Sequence, residues 1–380
     1  MKKSRRYLLL VVALAALGYF FYKFRNAITL EGFRWGMVTA SLRHSRVSFL
    51  LLGIVVIYIC FAIRALRWIR FCKWLGPAKF WNVYSTTLMG FTCVFLLGRA
   101  GEPIRPVLIA RKDSLSMPGM FGVYVLERIS DAVATLVLAG CALVMLQHGS
   151  IAGLAGDAGG AGASIVKIAR STGVLLLVAL VAAIAFLVYF RYHGAGWLGR
   201  KLHDSKWRHG WRGKVVLLLE GFIEGLQGIR TWGDLGALAG YTAIHWALVA
   251  LVYELVTHAF GGKVAQLSFG AVILVLAFTL VGSAVQLPGV GGGAQLATFL
   301  VLTLVLGVEK EPAATVAIVL WLVSFASCCL AGLPWLFHEG WSMGDLRRMA
   351  QAEEKAGEEE LLAEAEQASD SPDAAKEQPR

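Results

Sequence analysis

Between Gly98 and Asp131 the chain reads GRAGEPIRPVLIARKDSLSMPGMFGVYVLERISD. Two charged triplets stand here among apolar residues: Arg99, Glu102 and Arg105, then Glu127, Arg128 and Asp131. A charge at the centre of a bilayer costs about 2.5–3.5 kcal/mol on insertion scales, so such residues either sit at the water boundary or are kept for work inside the protein. On a helix, the i,i+3 spacing of the first triplet brings all three side chains to roughly one face, with Glu102 placed to bridge Arg99 and Arg105. Pro103 and Pro106 mark the start of a helix, because proline suits a first turn. Guanidinium groups at a fresh helix N-terminus suit a phosphate. In the second triplet Arg128 and Asp131 are i,i+3 neighbours and Glu127 and Asp131 are i,i+4, an arrangement that can face the first across a cavity. The plainer alternatives are a basic interfacial loop for the first and a structural ion pair for the second.

A third stretch, Pro288–Gln295 (PGVGGGAQ), offers successive glycine N–H groups that can converge on an anion. It has no Lys-Ser/Thr, so it is not a nucleotide-binding P-loop; the plainer alternative is a flexible break between helices. His245 and Glu254 lie nine residues apart, off a shared helical face, and read as packing residues. The six cysteines (Cys60, Cys72, Cys93, Cys141, Cys328, Cys329) lack metal-ligand spacing and read as small core residues. No catalytic set stands out, so an enzyme is not expected, and no cofactor is implied.

The elements that must position these residues are transmembrane helices. The 380 residues are 57% hydrophobic and only 16% charged, with a mean hydropathy of +0.64, where a soluble domain carries about 25% charged residues. The expected fold class is all-α, a polytopic membrane bundle of about eight spanning helices plus re-entrant or broken ones. Residues 1–338 form the transmembrane domain. Residues 339–380 carry five Lys/Arg against twelve Asp/Glu and read as an acidic, disordered cytoplasmic tail. The remaining body is basic, net +18. That favours anionic lipid surfaces as partners, and nothing resembles a nucleic-acid module.

Met1–Arg6 and the apolar run Tyr7–Tyr22 read as a retained first helix with a cytoplasmic N-terminus. The second span covers Val47–Ile63, and Arg64, Arg67, Arg70, Lys73 and Lys79 behind it read as a cytoplasmic loop. If Phe80–Leu97 crossed fully, the basic Arg191–Arg230 loop would fall outside. It is therefore read as a re-entrant or broken hairpin. Further spans are expected at Met120–Gln147, Gly173–Phe190, Leu235–Thr257, Leu267–Leu287 and Ala313–Phe337. A glycine-rich outer loop falls at residues 149–164, and Lys214–Ile229 reads as an amphipathic interfacial helix. Leu296–Val308 is too short to cross and gives a second broken element; the C-terminus is inside if it nevertheless spans. Paired broken segments, one in each half, point to a transporter's substrate site.

At GRAGEPIRP (Gly98–Pro106), VLERISD (Val125–Asp131) and PGVGGGAQ the chain resembles the flippase-like transmembrane domain of lysylphosphatidylglycerol synthases and its stand-alone relatives, over roughly Leu8–Phe337. The resemblance implies a lipid path framed by Arg99, Glu102, Arg105, Glu127, Arg128, Asp131, Pro288, Gly289 and Gln295. Two positions depart from the family pattern: Leu97 replaces a frequent proline, and Gln295 stands where a glutamate is frequent. The chain ends shortly after its last span, leaving no room for an aminoacyl-transferase domain. Synthesis of a lysyl-lipid is therefore not expected. The function implied is translocation of a phospholipid or lipid-linked headgroup across the inner (plasma) membrane. The alternative is a membrane scaffold or accessory subunit of a lipid-modifying or glycosyl-transferring partner enzyme.

Overall fold

The computed structural model describes residues 35–147, 231–283, 285–287 and 291–340. The first helix at Tyr7–Tyr22, the glycine-rich loop, the span Gly173–Phe190, the amphipathic segment Lys214–Ile229 and all but the first two residues of the acidic tail lie outside the described residues.

After a short helix α1 (Trp35–Arg43), α2 (Val47–Cys72) runs unbroken for 26 residues. At 1.5 Å per residue that is about 39 Å, more than a bilayer's hydrocarbon core. It continues through Arg64, Arg67 and Arg70, so these are not the loop that the charge pattern suggests. Nothing between Ile63 and Cys72 breaks a helix, and i,i+3 spacing turns Arg64 and Arg67 to one face. α6 (Trp232–Ala259) lies antiparallel to α2. At one end the Arg46 N–H donates to Ala259 O (2.8 Å), and at the other Arg70 pairs with Asp234 (2.6 Å). Asp234 and Thr231 also form the reciprocal cap that starts α6. These contacts define a Val47 end and a Cys72 end of the bundle.

α3 (Phe80–Leu97) is one continuous helix, which corrects the expectation of a break inside it. The hairpin is nevertheless present, with its return limb later in the chain. Gly98, at φ +67°, ends α3 in a conformation that side-chain-bearing residues avoid. A 3-10 turn (Gly98–Gly101) follows, and α4 (Ile104–Lys112) runs back along α3. The backbone N–H of Lys79 and the Asn82 amide both donate to Asp113, at 3.3 and 2.5 Å, and Lys112 Nζ reaches Ser85 at 3.0 Å. Both ends of this hairpin therefore lie at the Cys72 end. The limbs can close because Gly90 has no side chain: a Cβ there would stand 2.7 Å from Arg105 Cβ.

α5 (Met117–Gln147) then runs toward the Val47 end, antiparallel to α2; Met120 meets Cys72 and Asp131 meets Arg64.

The second half repeats the plan upside down. From the Val47 end, α7 (Phe269–Gly282) descends to a two-residue β-hairpin, β1 (Gln286–Leu287) with β2 (Gly291–Gly292). α8 (Gly293–Leu300) returns through a π-turn at Val301–Val305. Lys263 Nζ donates to Gly307 O (3.0 Å), which places both ends of this hairpin at the Val47 end. Leu267–Leu287 is thus the descending limb and tip of a hairpin rather than a full span, and Leu296–Val308 belongs to the return. Its limbs touch through Gly282 and Gly293, where any Cβ would strike the opposite backbone.

A helix with a π-turn in its middle, α9 (Lys310–Trp321), Leu322–Ala326 and α10 (Ser327–His338), crosses parallel to α2. Val323 lies against Gly53, Tyr58 donates to Ser327 O (3.0 Å), and Glu339 pairs with Lys112. Among the described residues, each half is therefore span, hairpin, span, with the directions reversed. Four helical stretches among them are long and apolar enough to cross a membrane: Val47–Cys72, Phe80–Gly101, Trp232–Ala259 and Lys310–His338. An apolar core joins α2, α6, α7, α8 and α9, and a second, around Trp68, Phe71 and Met120, fills the Cys72 end.

Candidate functional site

Arg64 and Arg67 emerge from the apolar face of α2 directly opposite Glu127 and Asp131 of α5. Arg64 donates to Glu127 (2.6 Å) and Asp131 (2.7 Å), and Arg67 to the same two carboxylates, at 2.9 Å each. Arg105 of α4 adds a third guanidinium to Glu127 and stacks over Trp68 at 4.4 Å. Glu127 and Arg67 are fully buried and Arg105 is nearly so. Burying so many ionised groups is tolerable only because each finds partners of opposite charge. This layer ties together α2, α4 and α5.

A second layer faces open space. Glu102 accepts from Arg99 (3.0 Å) and from the Tyr124 hydroxyl (2.7 Å), and lies 3.9 Å from Arg128. Glu102 therefore bridges Arg99 and Arg128, and not the Arg99–Arg105 pair that i,i+3 spacing suggests, because Arg105 turns inward to Glu127. Arg128 is held loosely. Its contacts to Asp131 (3.3 Å), Glu127 (3.5 Å) and Glu102 are all longer than those of Arg64 and Arg67. Its Nε has no partner among the described residues. The side chains of Arg99 and Arg128 are 50% and 39% exposed.

That open space is a cavity of about 430 Å³. Arg64, Arg99, Glu102, Arg105, Arg128 and Asp131 are among its polar lining, and Phe91, Trp246, Trp321 and Phe325 among its apolar lining, with the Arg64 guanidinium 5.4 Å from the Phe91 ring centroid. Five arginines against three carboxylates leave the whole cluster with two surplus positive charges. The two hairpins, entering from opposite ends, meet at this cavity: Arg99 Nη2 at the tip of the first donates to Ser283 O at the tip of the second (2.7 Å).

The six charged positions singled out in the sequence thus fall into one cluster. Gln295 lines the cavity and accepts from the Gly292 N–H (2.6 Å), capping the return limb of the second hairpin. Pro288 and Gly289 lie outside the described residues. Sequence reasoning missed Arg64, Arg67 and Tyr124. The signal for the two arginines was the absence of any helix breaker after Ile63, which keeps them on the spanning helix. His245, read as a packing residue, is buried against Cys60 O (3.4 Å) and also borders the cavity. Glu254 pairs with His258 (3.5 Å). Five of the six cysteines are buried, and Cys141 is exposed. Among the described residues no group of three or more His, Cys, Asp or Glu could hold a metal.

The geometry can hold an anion against two reachable guanidiniums in a cavity that also has apolar lining. Residues 7–332 match the profile of the family described as the lysylphosphatidylglycerol synthase TM region. No curated protein matches the chain.

Proposed function

The chain belongs to the lysylphosphatidylglycerol synthase TM region family, membrane domains associated with lipid modification and transport, and from that premise we propose that it carries a phosphate-bearing lipid headgroup between leaflets. The observation that carries this reading is the amphipathic cavity, whose lining combines a surplus of positive charge with aromatic rings. A phospholipid combines the same two chemistries. Arg99 and Arg128 are its phosphate ligands, since they are exposed to the cavity and their contacts within the cluster leave guanidinium surface open to it. Glu102 and Asp131 keep the two guanidiniums spread. Arg105, an obvious phosphate ligand by sequence, instead belongs with Arg64, Arg67 and Glu127 in the fixed layer behind. No covalent chemistry is asked of the protein in this reading.

We place the Cys72 end in the cytoplasm of the inner membrane, because Lys73, Lys79, Arg111 and Lys112 gather there. The C-terminal residue of the bundle, Glu339, then lies on the cytoplasmic side too. The test is leaflet-resolved lipid movement in proteoliposomes. Wild type should move anionic phospholipid, and Arg99→Gln and Arg128→Gln should slow it at least about tenfold, the equivalent of one charge-assisted hydrogen bond, while remaining folded. No movement by wild type across anionic, zwitterionic and polyprenyl lipids would overturn the proposal and favour a scaffold that serves a partner enzyme.

A further inference from the structure

The contact between the hairpin tips has a chemistry of its own. Ser283 caps the C-terminus of α7, and its carbonyl is one of the end-of-helix acceptors that the helix itself cannot satisfy. It also carries the negative end of the helix dipole. Arg99 supplies the missing donor at 2.7 Å while holding Glu102 with its other nitrogen at 3.0 Å. The same guanidinium is half-exposed to the cavity. A phosphate oxygen is a stronger partner for a guanidinium than a peptide carbonyl, because its formal negative charge adds an ion-pair attraction that a neutral carbonyl lacks. A ligand shifts a conformational equilibrium only by binding one state better than the other, and a phosphate at Arg99 does this by displacing Ser283 O.

We propose that Arg99 is a shared ligand that latches the two hairpin tips together through Ser283 O until a lipid phosphodiester takes it over. Headgroup recognition and separation of the tips are then one event. The inference rests on the lipid-translocation reading, and it assigns to Arg99 a role that Arg128, which has no contact with the second hairpin in its ion pairs, does not share.

The test reads the latch without reading transport. Ser283→Cys keeps the backbone carbonyl and places a thiol at the tip, on a Cys141→Ser background that removes the exposed native cysteine. Its modification by a membrane-impermeant thiol reagent is timed in nanodiscs of phosphate-free glycolipid, in the same nanodiscs with inorganic phosphate added, and in nanodiscs containing phosphatidylglycerol. Labelling should be about tenfold faster with phosphatidylglycerol than with glycolipid. Adding Arg99→Gln should make labelling fast in all three. Slow labelling of the Arg99→Gln protein, or a parent rate indifferent to lipid, would overturn the latch. An inorganic phosphate effect as large as that of phosphatidylglycerol would overturn the lipid assignment in favour of a soluble anion. If lipid-dependent labelling appears but no lipid crosses the bilayer, the latch stands and the translocation reading fails. If lipid crosses while labelling stays indifferent, the reverse holds.

Discussion

Replacing Glu127 with glutamine removes one negative charge and leaves the side chain's shape almost unchanged. Glu127 has no exposed surface and accepts from Arg64 (2.6 Å), Arg67 (2.9 Å) and Arg105, with Arg128 at 3.5 Å. A glutamine oxygen can keep one or two of these donors, but its amide hydrogens then face a guanidinium. Removing one member of a buried, hydrogen-bonded ion cluster costs about 3–5 kcal/mol, because the remaining charges stay buried without compensation. Arg99→Gln removes a half-exposed i,i+3 pair, worth about 0.2–1 kcal/mol, and the bond to Ser283 O, worth about 0.5–1.5 kcal/mol. The first substitution should therefore cost more than the second. In detergent, Glu127→Gln should lower the unfolding midpoint markedly and broaden the size-exclusion profile, while Arg99→Gln should lower the midpoint less and, in proteoliposomes, slow lipid movement at least about tenfold. Replacing both Arg105 and Glu127 with methionine should recover much of the lost stability, since an apolar pair of similar volume replaces a buried ion pair at little cost. A Glu127→Gln protein with wild-type stability and no transport would refute the assignment of Glu127 to the fixed layer and move it to the substrate.

The opposed entry of the hairpins can be read from single cysteines at Lys79 and Lys263, each modified by an impermeant reagent from one side of sealed vesicles. They should react from opposite sides, and same-side reactivity would dismiss the inverted plan. Gly90→Ala should cost about 1–3 kcal/mol by overpacking, since the added carbon meets Arg105 Cβ at 2.7 Å. Gly140→Ala, with nothing within 4 Å, should change the unfolding midpoint little.

Much of the cluster was legible because charges surrounded by apolar residues are costly and therefore conspicuous. Arg99, Glu102, Arg105, Glu127, Arg128 and Asp131 stand out on that ground alone. The local pairs Arg99–Glu102 and Arg128–Asp131 follow the i,i+3 spacing, but the pairing between helices was not legible, because that logic describes one helix and the other partners come from three. Arg105 illustrates the limit: its neighbour in sequence is Glu102, but its neighbour in space is Glu127, brought there by the turn at Gly98–Gly101 and the close fit at Gly90. Charge bookkeeping along the chain correctly demanded that the Phe80 region return to the side it left. It could not tell where the return limb began, because Ile104–Lys112 is too polar to look like membrane-embedded helix. The descending limb of the second hairpin was hidden for the opposite reason. Phe269–Gly282 is so apolar that it reads as a complete span, and only its 14 residues, about 21 Å, betray that it stops short.

The meeting of the hairpin tips also bears on how the protein would respond to voltage. A transmembrane potential falls where the dielectric is low, and a cavity lined by guanidiniums and carboxylates admits water that short-circuits the part of the bilayer beside it. Where such a cavity opens to one side only, the remaining drop is concentrated across the residues that separate it from the other, instead of spread over roughly 30 Å of hydrocarbon. A monoanionic headgroup crossing that thin barrier passes through about 2.3 kcal/mol for every 100 mV. On the lipid-translocation reading, a resting potential would therefore bias which leaflet the lipid ends in.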